Sequence, residues 1–343
     1  MEFSNAEGFE VQKANIMIIG CGGGGNNTAT ALFEKGLQDA RVIAINTDAK
    51  HLAMSKAHER ILIGKNLTKG LGAGGFPDIG KQAALESKNE IKRALEGVDL
   101  LFVTCGLGGG TGTGSAPVAS RIAKEMGAIV IAAVTMPFKL EGARLMKAEE
   151  GLAQLREYAD TVIVIENQKL LDLAGKMPLK QAFSMADNLI ALMIKGITET
   201  ISQPSLVNLD FADVKAIMRS GGVATIGVGE SDAPNKAIDA VTKALSNPLL
   251  EVDYSGAHGA LVHVIGGPDM KLDEIQAIGE AVQQNLDPNA QVIWGARILP
   301  EFEHKIQVIT IITGVKSPFI VGPTGKRTQV KSAKNELGID TIQ

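Results

Sequence analysis

The chain has 343 residues, 45% of them hydrophobic and 21% charged, with a formal net charge of −4. At roughly 100–200 residues per domain, that length predicts two domains, and a mildly acidic chain without a long basic run excludes nucleic-acid binding by bulk electrostatics. Apolar runs such as 128–134 fall far short of the roughly 20 residues needed to cross a bilayer, and residues 1–13 contain no signal-peptide apolar region. Two cysteines fit a reducing cytoplasm better than a disulfide framework or a zinc site.

In chain order, 16–20 (IMIIG) reads as a buried strand, 26–35 as a helix entered through a glycine turn, and 42–46 as a second strand. Residues 79–95 carry helical spacing with charges on one face. Strand 100–104, helix 115–126, strand 129–135, helix 145–158 and strand 162–165 follow. Strands this uniformly apolar are buried on both faces, and their alternation with helices predicts a Rossmann-like α/β parallel sheet. Residues 178–201 place Phe183, Ala186, Leu189, Ile190, Met193, Ile194 and Ile197 at helical spacing, as in one long connecting helix. Beyond it, strand-like segments 223–228, 260–265, 291–296 and 306–313, with helices at 233–245 and 271–284, predict a second α+β domain. The pattern thins after about residue 317 into a polar tail.

Sixteen of the 39 glycines fall in three short clusters, 20–25, 70–80 and 106–114. Clustered glycine lets backbone N–H groups converge on an anion with no Cβ in the way. The first and third clusters directly follow strands, where parallel sheets bind ligands. The third runs from a strand into a helix, so its amides and the helix N-terminus form an anion cradle, to which Thr111, Thr113 and Ser115 can add hydroxyl donors. No Gly-Lys-Ser/Thr follows any cluster, which excludes a Walker P-loop. The phosphates must then be neutralised by backbone dipoles and Mg²⁺. A dinucleotide-binding reading stays open at this point, with Asp48 after the second strand as its ribose ligand.

Segment 108–116, GGGTGTGSA, resembles the signature of the tubulin/FtsZ family of GTPases. Further segments resemble that family in the same order: AINTD at 44–48, GAGGFPDIG at 72–80, TMPF at 135–138 with Glu141-Gly142, and NLDFAD at 208–213. The resemblance spans about 16–321. It implies a polar extension (1–12), a GTP-binding domain (13–177), a central helix (178–203), a C-terminal α+β domain opening with the catalytic loop (204–320) and a polar tail (321–343). It further implies that GTP or GDP, with Mg²⁺ held mainly through phosphates and water, meets Gly22, Gly23, Gly24 and Asn26, the loop Ala73, Gly74 and Gly75, and Gly108, Gly109, Gly110 and Thr111. Asn46, Asp48, Gly112, Thr113 and Pro137 belong to the same implied site. Glu141 would hydrogen-bond the ribose, with Arg144 replacing an arginine common in the family where Leu145 stands here. Asn167 and Asp187 would read guanine, and Phe183 would stack on it.

The resemblance places Asn208, Asp210 and Asp213 on the GTP of the neighbouring subunit. The implied function is a GTPase that polymerises head-to-tail into the division ring, or a related filament with a cell-shape role. The implied partners are further copies of the chain and membrane-tethering division proteins bound by the tail. Neither nucleic acid nor direct membrane insertion is expected, and the expected location is the cytoplasm at midcell. Without the resemblance, Asp210 and Asp213 read as a helix cap and a first-turn acid. Cys21 and Cys105 each end a strand before a phosphate loop. Their thiols are therefore expected near each other and the nucleotide, where alkylation would block binding.

Overall fold

A computed structural model describes residues 14–37, 39–174, 177–202, 205–207, 211–219, 224–246 and 253–315. Six strands build the first sheet: β1 (Ile16–Cys21), β2 (Ala40–Asn46), β3 (Glu59–Leu62), β4 (Leu100–Gly106), β5 (Ile129–Met136) and β6 (Thr161–Glu166). All are predominantly apolar except the short edge strand β3, which carries Glu59 and Arg60 and is not among the strands expected from the sequence. They pair in parallel in the order β3-β2-β1-β4-β5-β6. Every residue of β1 is buried, which is why its sequence is a continuous apolar run rather than an alternation. The strand order reverses between β1 and β4, and such a switch point opens a crevice at the carboxyl ends of the strands.

The helices of this unit are α1 (Gly22–Glu34), α2 (Ala49–Met54), α3 (Lys65–Thr68), α4 (Pro77–Glu86), α5 (Lys88–Ala94), α6 (Thr111–Glu125), α7 (Ala143–Leu155) and α8 (Asn167–Ala174). The 24-residue helix α9 (Leu179–Ser202) follows, then the shorter α10 (Phe211–Arg219). The second sheet contains β7 (Ala224–Ser231), β8 (Gly259–Gly266), β9 (Gln291–Ile298) and β10 (Ile306–Thr313) in the order β7-β10-β8-β9. Only β8 and β9 pair in parallel. Helices α11 (Lys236–Leu245) and α12 (Leu272–Gln283) accompany it.

Helix α9 joins the two units through one apolar cluster. Its Ile190, Met193, Ile194 and Ile197 pack with Ile18 and Phe102 of the first sheet and with Ile226, Leu261 and Ile311 of the second. Each is at most 1% exposed, and full burial of an isoleucine side chain stabilises by about 1.5–3 kcal/mol. The helix therefore acts as the shared wall of both cores.

Three expectations change on contact with the structure. The single helix expected over 79–95 is two helices, broken at Ser87 (φ −96°, ψ 18°), whose hydroxyl accepts the Gly64 N–H at 3.2 Å. Helices expected to begin at 26 and 115 begin at Gly22 and Thr111. Glycine is a poor helix former, yet close packing requires it here: a Cβ on Gly25 would lie 2.2 Å from the Thr104 carbonyl, and one on Gly114 2.0 Å from that of Pro77. The expected extension 1–12 and tail 321–343 lie outside the described residues, among which no helix is long and apolar enough to cross a membrane.

Candidate active site

The three glycine clusters meet at the carboxyl ends of β1 and β4. Gly22 opens α1 with φ +69°, and a Cβ there would stand 2.7 Å from the Gly112 nitrogen. A Cβ on Gly110 would stand 2.8 Å from the Phe76 nitrogen and 2.9 Å from the Ala73 Cβ. Side chains would push these loops apart. Hydrogen bonds hold them in place: Thr47 and Thr111 pair their hydroxyls at 2.6 Å, and the Gly108 N–H donates to Thr113 Oγ1 at 2.9 Å. Lys147 Nζ donates to the Gly75 carbonyl at 2.8 Å and lies over the Phe76 ring.

Above this floor lies a cavity of about 990 Å³. Gly23 and Gly24 from α1 and Gly109, Gly110, Thr111 and Gly112 at the start of α6 line it. Two helix N-termini thus face the same space. Their free N–H groups and partial positive charge suit phosphate, and no lysine is needed or present in the lining.

Opposite the phosphate floor stand Asn167, Phe183 and Asp187. Asn167 begins α8 and is 9% exposed, yet its Oδ1 has no hydrogen-bond partner, an acceptor waiting for a donor. Burial raises the Asp187 carboxyl above its usual range, and the hydrogen bond from Thr28 Oγ1 to its Oδ1, at 2.7 Å, partly offsets this. Its second oxygen is left as an acceptor. Phe183 meets Phe138 edge-on at 5.8 Å and remains 39% exposed, so it is not simple core packing. At the rim, Pro137 adjoins Glu141, whose Oε1 accepts the Phe138 N–H at 3.0 Å and whose Oε2 pairs with Arg144 at 2.6 Å.

Other residues implied by the resemblance sit beneath the cavity rather than on it. The buried Asn26 amide donates to the carbonyls of Gly20 (2.8 Å) and Gly22 (3.2 Å) and accepts from Asn46 Nδ2 (3.1 Å), locking the ends of β1 and β2 together. Asp48 caps α2 by accepting the His51 N–H at 3.0 Å. Ala73 packs against Gly110, while Gly74 and Gly75 continue the same loop. Gly22, Gly108 and Thr113 likewise shape the floor without lining the cavity. The wall includes residues that the sequence reading passes over, among them Asn27, Thr28, Thr30, Glu34 and His51. Asn27, Thr30 and Glu34 follow the first glycine cluster at helical spacing, a signal available once α1 is known to start at Gly22.

Cys21 and Cys105 are register partners on β1 and β4, and Cys105 touches the cavity. Burial pushes the Cys21 thiol up to about 12 and the Cys105 thiol well above its ordinary value. The reactive thiolate is thereby suppressed, so the reading of these residues as alkylation targets loses its chemical basis. Asp213 occupies the first turn of α10 and does not line the cavity. Asn208 and Asp210 lie outside the described residues. The preceding Val207 pairs with Ala296 of β9 at 3.1 and 3.2 Å.

A doubly wound sheet with paired helix N-termini over glycine loops, and a cavity that also carries a buried amide and a carboxylate, defines a nucleotide-phosphate-binding protein. Residues 15–175 match the model of the Tubulin/FtsZ family, GTPase domain, and residues 222–316 that of the FtsZ family, C-terminal domain. The chain is 57% identical over 324 residues to Cell division protein FtsZ 2 of Methanocaldococcus jannaschii, covering 94% of this chain and 85% of that one. It is 55% identical over 333 residues to Cell division protein FtsZ 1 of Pyrococcus furiosus, covering 96% and 89%. The empty FtsZ dimer of M. jannaschii matches with a TM-score of 0.83 and 52% identity, over 88% of this chain and 89% of that one. The chain belongs to the tubulin/FtsZ family.

Proposed function

We propose that this protein hydrolyses GTP and assembles head-to-tail into the filaments of the division ring, each molecule holding half of a reaction centre. The carrying observation is the separation of parts. One cavity unites the phosphate cradle with the Asn167–Asp187 end, while the acid Asp213 stands on α10 away from it. Phosphoryl transfer to water requires a positioned nucleophile and charge stabilisation rather than covalent chemistry. Docking a second molecule would bring its Asn208, Asp210 and Asp213 over the first molecule's triphosphate, where the amide orients the water and a carboxylate accepts its proton. Such a contact joins unlike surfaces and does not close, so it propagates into a filament.

Among the described residues no three His, Cys, Asp or Glu side chains converge. A Mg²⁺ ion arriving with the nucleotide would be held mainly by phosphate oxygens and water, and would supply charge neutralisation. Two curated relatives are named cell division proteins, which supports a midcell role for this chain. Membrane-tethering partners are assigned to the tail 321–343.

The test is complementation. Asp213→Ala retains the pocket and loses the trigger; Asp187→Asn retains the trigger and loses guanine binding. Each alone should hydrolyse GTP at a few per cent of the parent rate or less, and their mixture should regain a measurable fraction. A silent mixture of two folded variants, or full turnover by Asp213→Ala alone, would refute the shared site.

A further inference from the structure

One imidazole on the cavity wall has no role in the scheme above. His51 is the third residue of α2, and hydrogen bonds around it decide which ring nitrogen carries the proton. Asn46 Oδ1 accepts the Asp48 N–H at 3.2 Å, which fixes the orientation of that amide. Asn46 Nδ2 is therefore the group facing Asn26 Oδ1 at 3.1 Å and His51 Nδ1 at 3.4 Å. An amide nitrogen only donates, so Nδ1 accepts and the proton of the neutral ring resides on Nε2.

That Nε2 is the ring atom nearest the first glycine loop, 3.8 Å from where a Cβ on Gly23 would stand. It has no hydrogen-bond partner among the described residues, and both His51 and Gly23 line the cavity. A donor with a set tautomer thus faces the helix N-terminus that receives phosphate, in a lining without lysine. We propose that His51 is a phosphate-binding residue whose Nε2–H donates to a phosphate oxygen of the bound nucleotide. The inference rests on the GTP reading above and adds one donor to it. Asn46 then has a second purpose as the group that sets the tautomer, which explains an amide placed under the cavity rather than on it.

The variants separate the two ring nitrogens. In His51→Gln the side-chain amide nitrogen reaches the place of Nε2; in His51→Asn it reaches only that of Nδ1; in His51→Ala both are lost. Binding of GDP and of guanosine is measured by competition against a fluorescent guanine nucleotide. His51→Ala and His51→Asn should bind GDP roughly tenfold more weakly, the loss of one hydrogen bond to a charged acceptor. His51→Gln should stay within about threefold of the parent, and guanosine affinity should be the same in all four proteins. GDP affinity unchanged in His51→Ala, equal loss in His51→Gln, or a matching loss for guanosine would each overturn the assignment. Failure of the parent protein to bind GDP would instead overturn the GTP reading.

Discussion

Asp187 offers the most direct test of base recognition. Thr28 occupies Oδ1 at 2.7 Å, and Asp187 lines the same cavity as Asn167, whose Oδ1 is unpartnered. Guanine presents two donors on one edge, N1–H and the exocyclic amine, and an ionised carboxylate can accept from both. Asp187→Asn keeps the shape but replaces one acceptor with a donor. A hydrogen bond to a charged group contributes about 1.5–3 kcal/mol, so losing one and opposing a second should cost about 3–4 kcal/mol. At about 1.4 kcal/mol per decade this is two to three orders of magnitude in GDP affinity. Xanthine carries a carbonyl where guanine has its amine and accepts from the new amide, so the variant should prefer xanthosine diphosphate. Burial raises the Asp187 carboxyl, so its ionised form is a liability in the empty protein at neutral pH. Urea unfolding of the nucleotide-free variant should therefore show stability equal to or above the parent's. GDP affinity within threefold of the parent, in a variant that folds, would refute the assignment of the base end.

Two further predictions concern stability and packing. His263 is 1% exposed, shares a short hydrogen bond with Thr200, and is lowered from 6.5 to about 4 by burial and then by the Arg297 charge. The unfolded chain therefore gains a proton below about pH 6.5 that the folded chain refuses until about pH 4, so stability falls on acidification. The loss attributable to this residue is about 2 kcal/mol between pH 7 and pH 5. Urea midpoints across that range should show a flatter profile in His263→Leu, and an unchanged slope would count against the assignment. Gly110→Ala places a methyl against the Phe76 nitrogen and Ala73, and should weaken GDP binding more than tenfold, whereas Gly279→Ala in α12, with nothing within 4 Å, should stabilise by about 0.5–1 kcal/mol. Thermal melts and nucleotide titrations distinguish the two, and similar behaviour of both would undercut the packing argument.

Five strands of the first sheet were legible because burial on both faces leaves a continuous apolar run, as in β1 and β5. The edge strand β3, Glu59-Arg-Ile-Leu62, is short, half charged and only partly buried, and went unread. Helix starts at the glycine clusters were not. Local propensity says turn at Gly22 and at Thr111-Gly-Thr-Gly114, but tertiary contact at 2–3 Å decides in favour of helix. The break at Ser87 was invisible for a similar reason, since its hydroxyl partner, Gly64, is 23 residues away. At the site, residues that would touch a base or phosphate could be named from a motif. The placement of side chains on or beneath the cavity could not: Asn26 and Asn46 read as ligands in sequence, and the structure places their hydrogen-bonded amides beneath the cavity lining. His51 escaped notice because its significance lies in a tautomer set by a neighbour, which no spacing encodes.

Helix α9 explains why the two halves of the proposed reaction centre can be separate yet coordinated. At about 1.5 Å per residue its 24 residues span some 36 Å. Phe183 and Asp187 near its start line the cavity, and Thr200 near its end bonds His263 of the second sheet. Between them, Ile190, Ile194 and Ile197 pack in a core shared with both sheets, and α10 adds Val214, Ile217 and Met218 to that core. A rod packed this densely transmits displacement rather than absorbing it. The same core holds the second sheet and α10, the helix that carries Asp213. The cavity end of α9 and its Thr200–His263 contact with the second sheet are thus tied through one packed core.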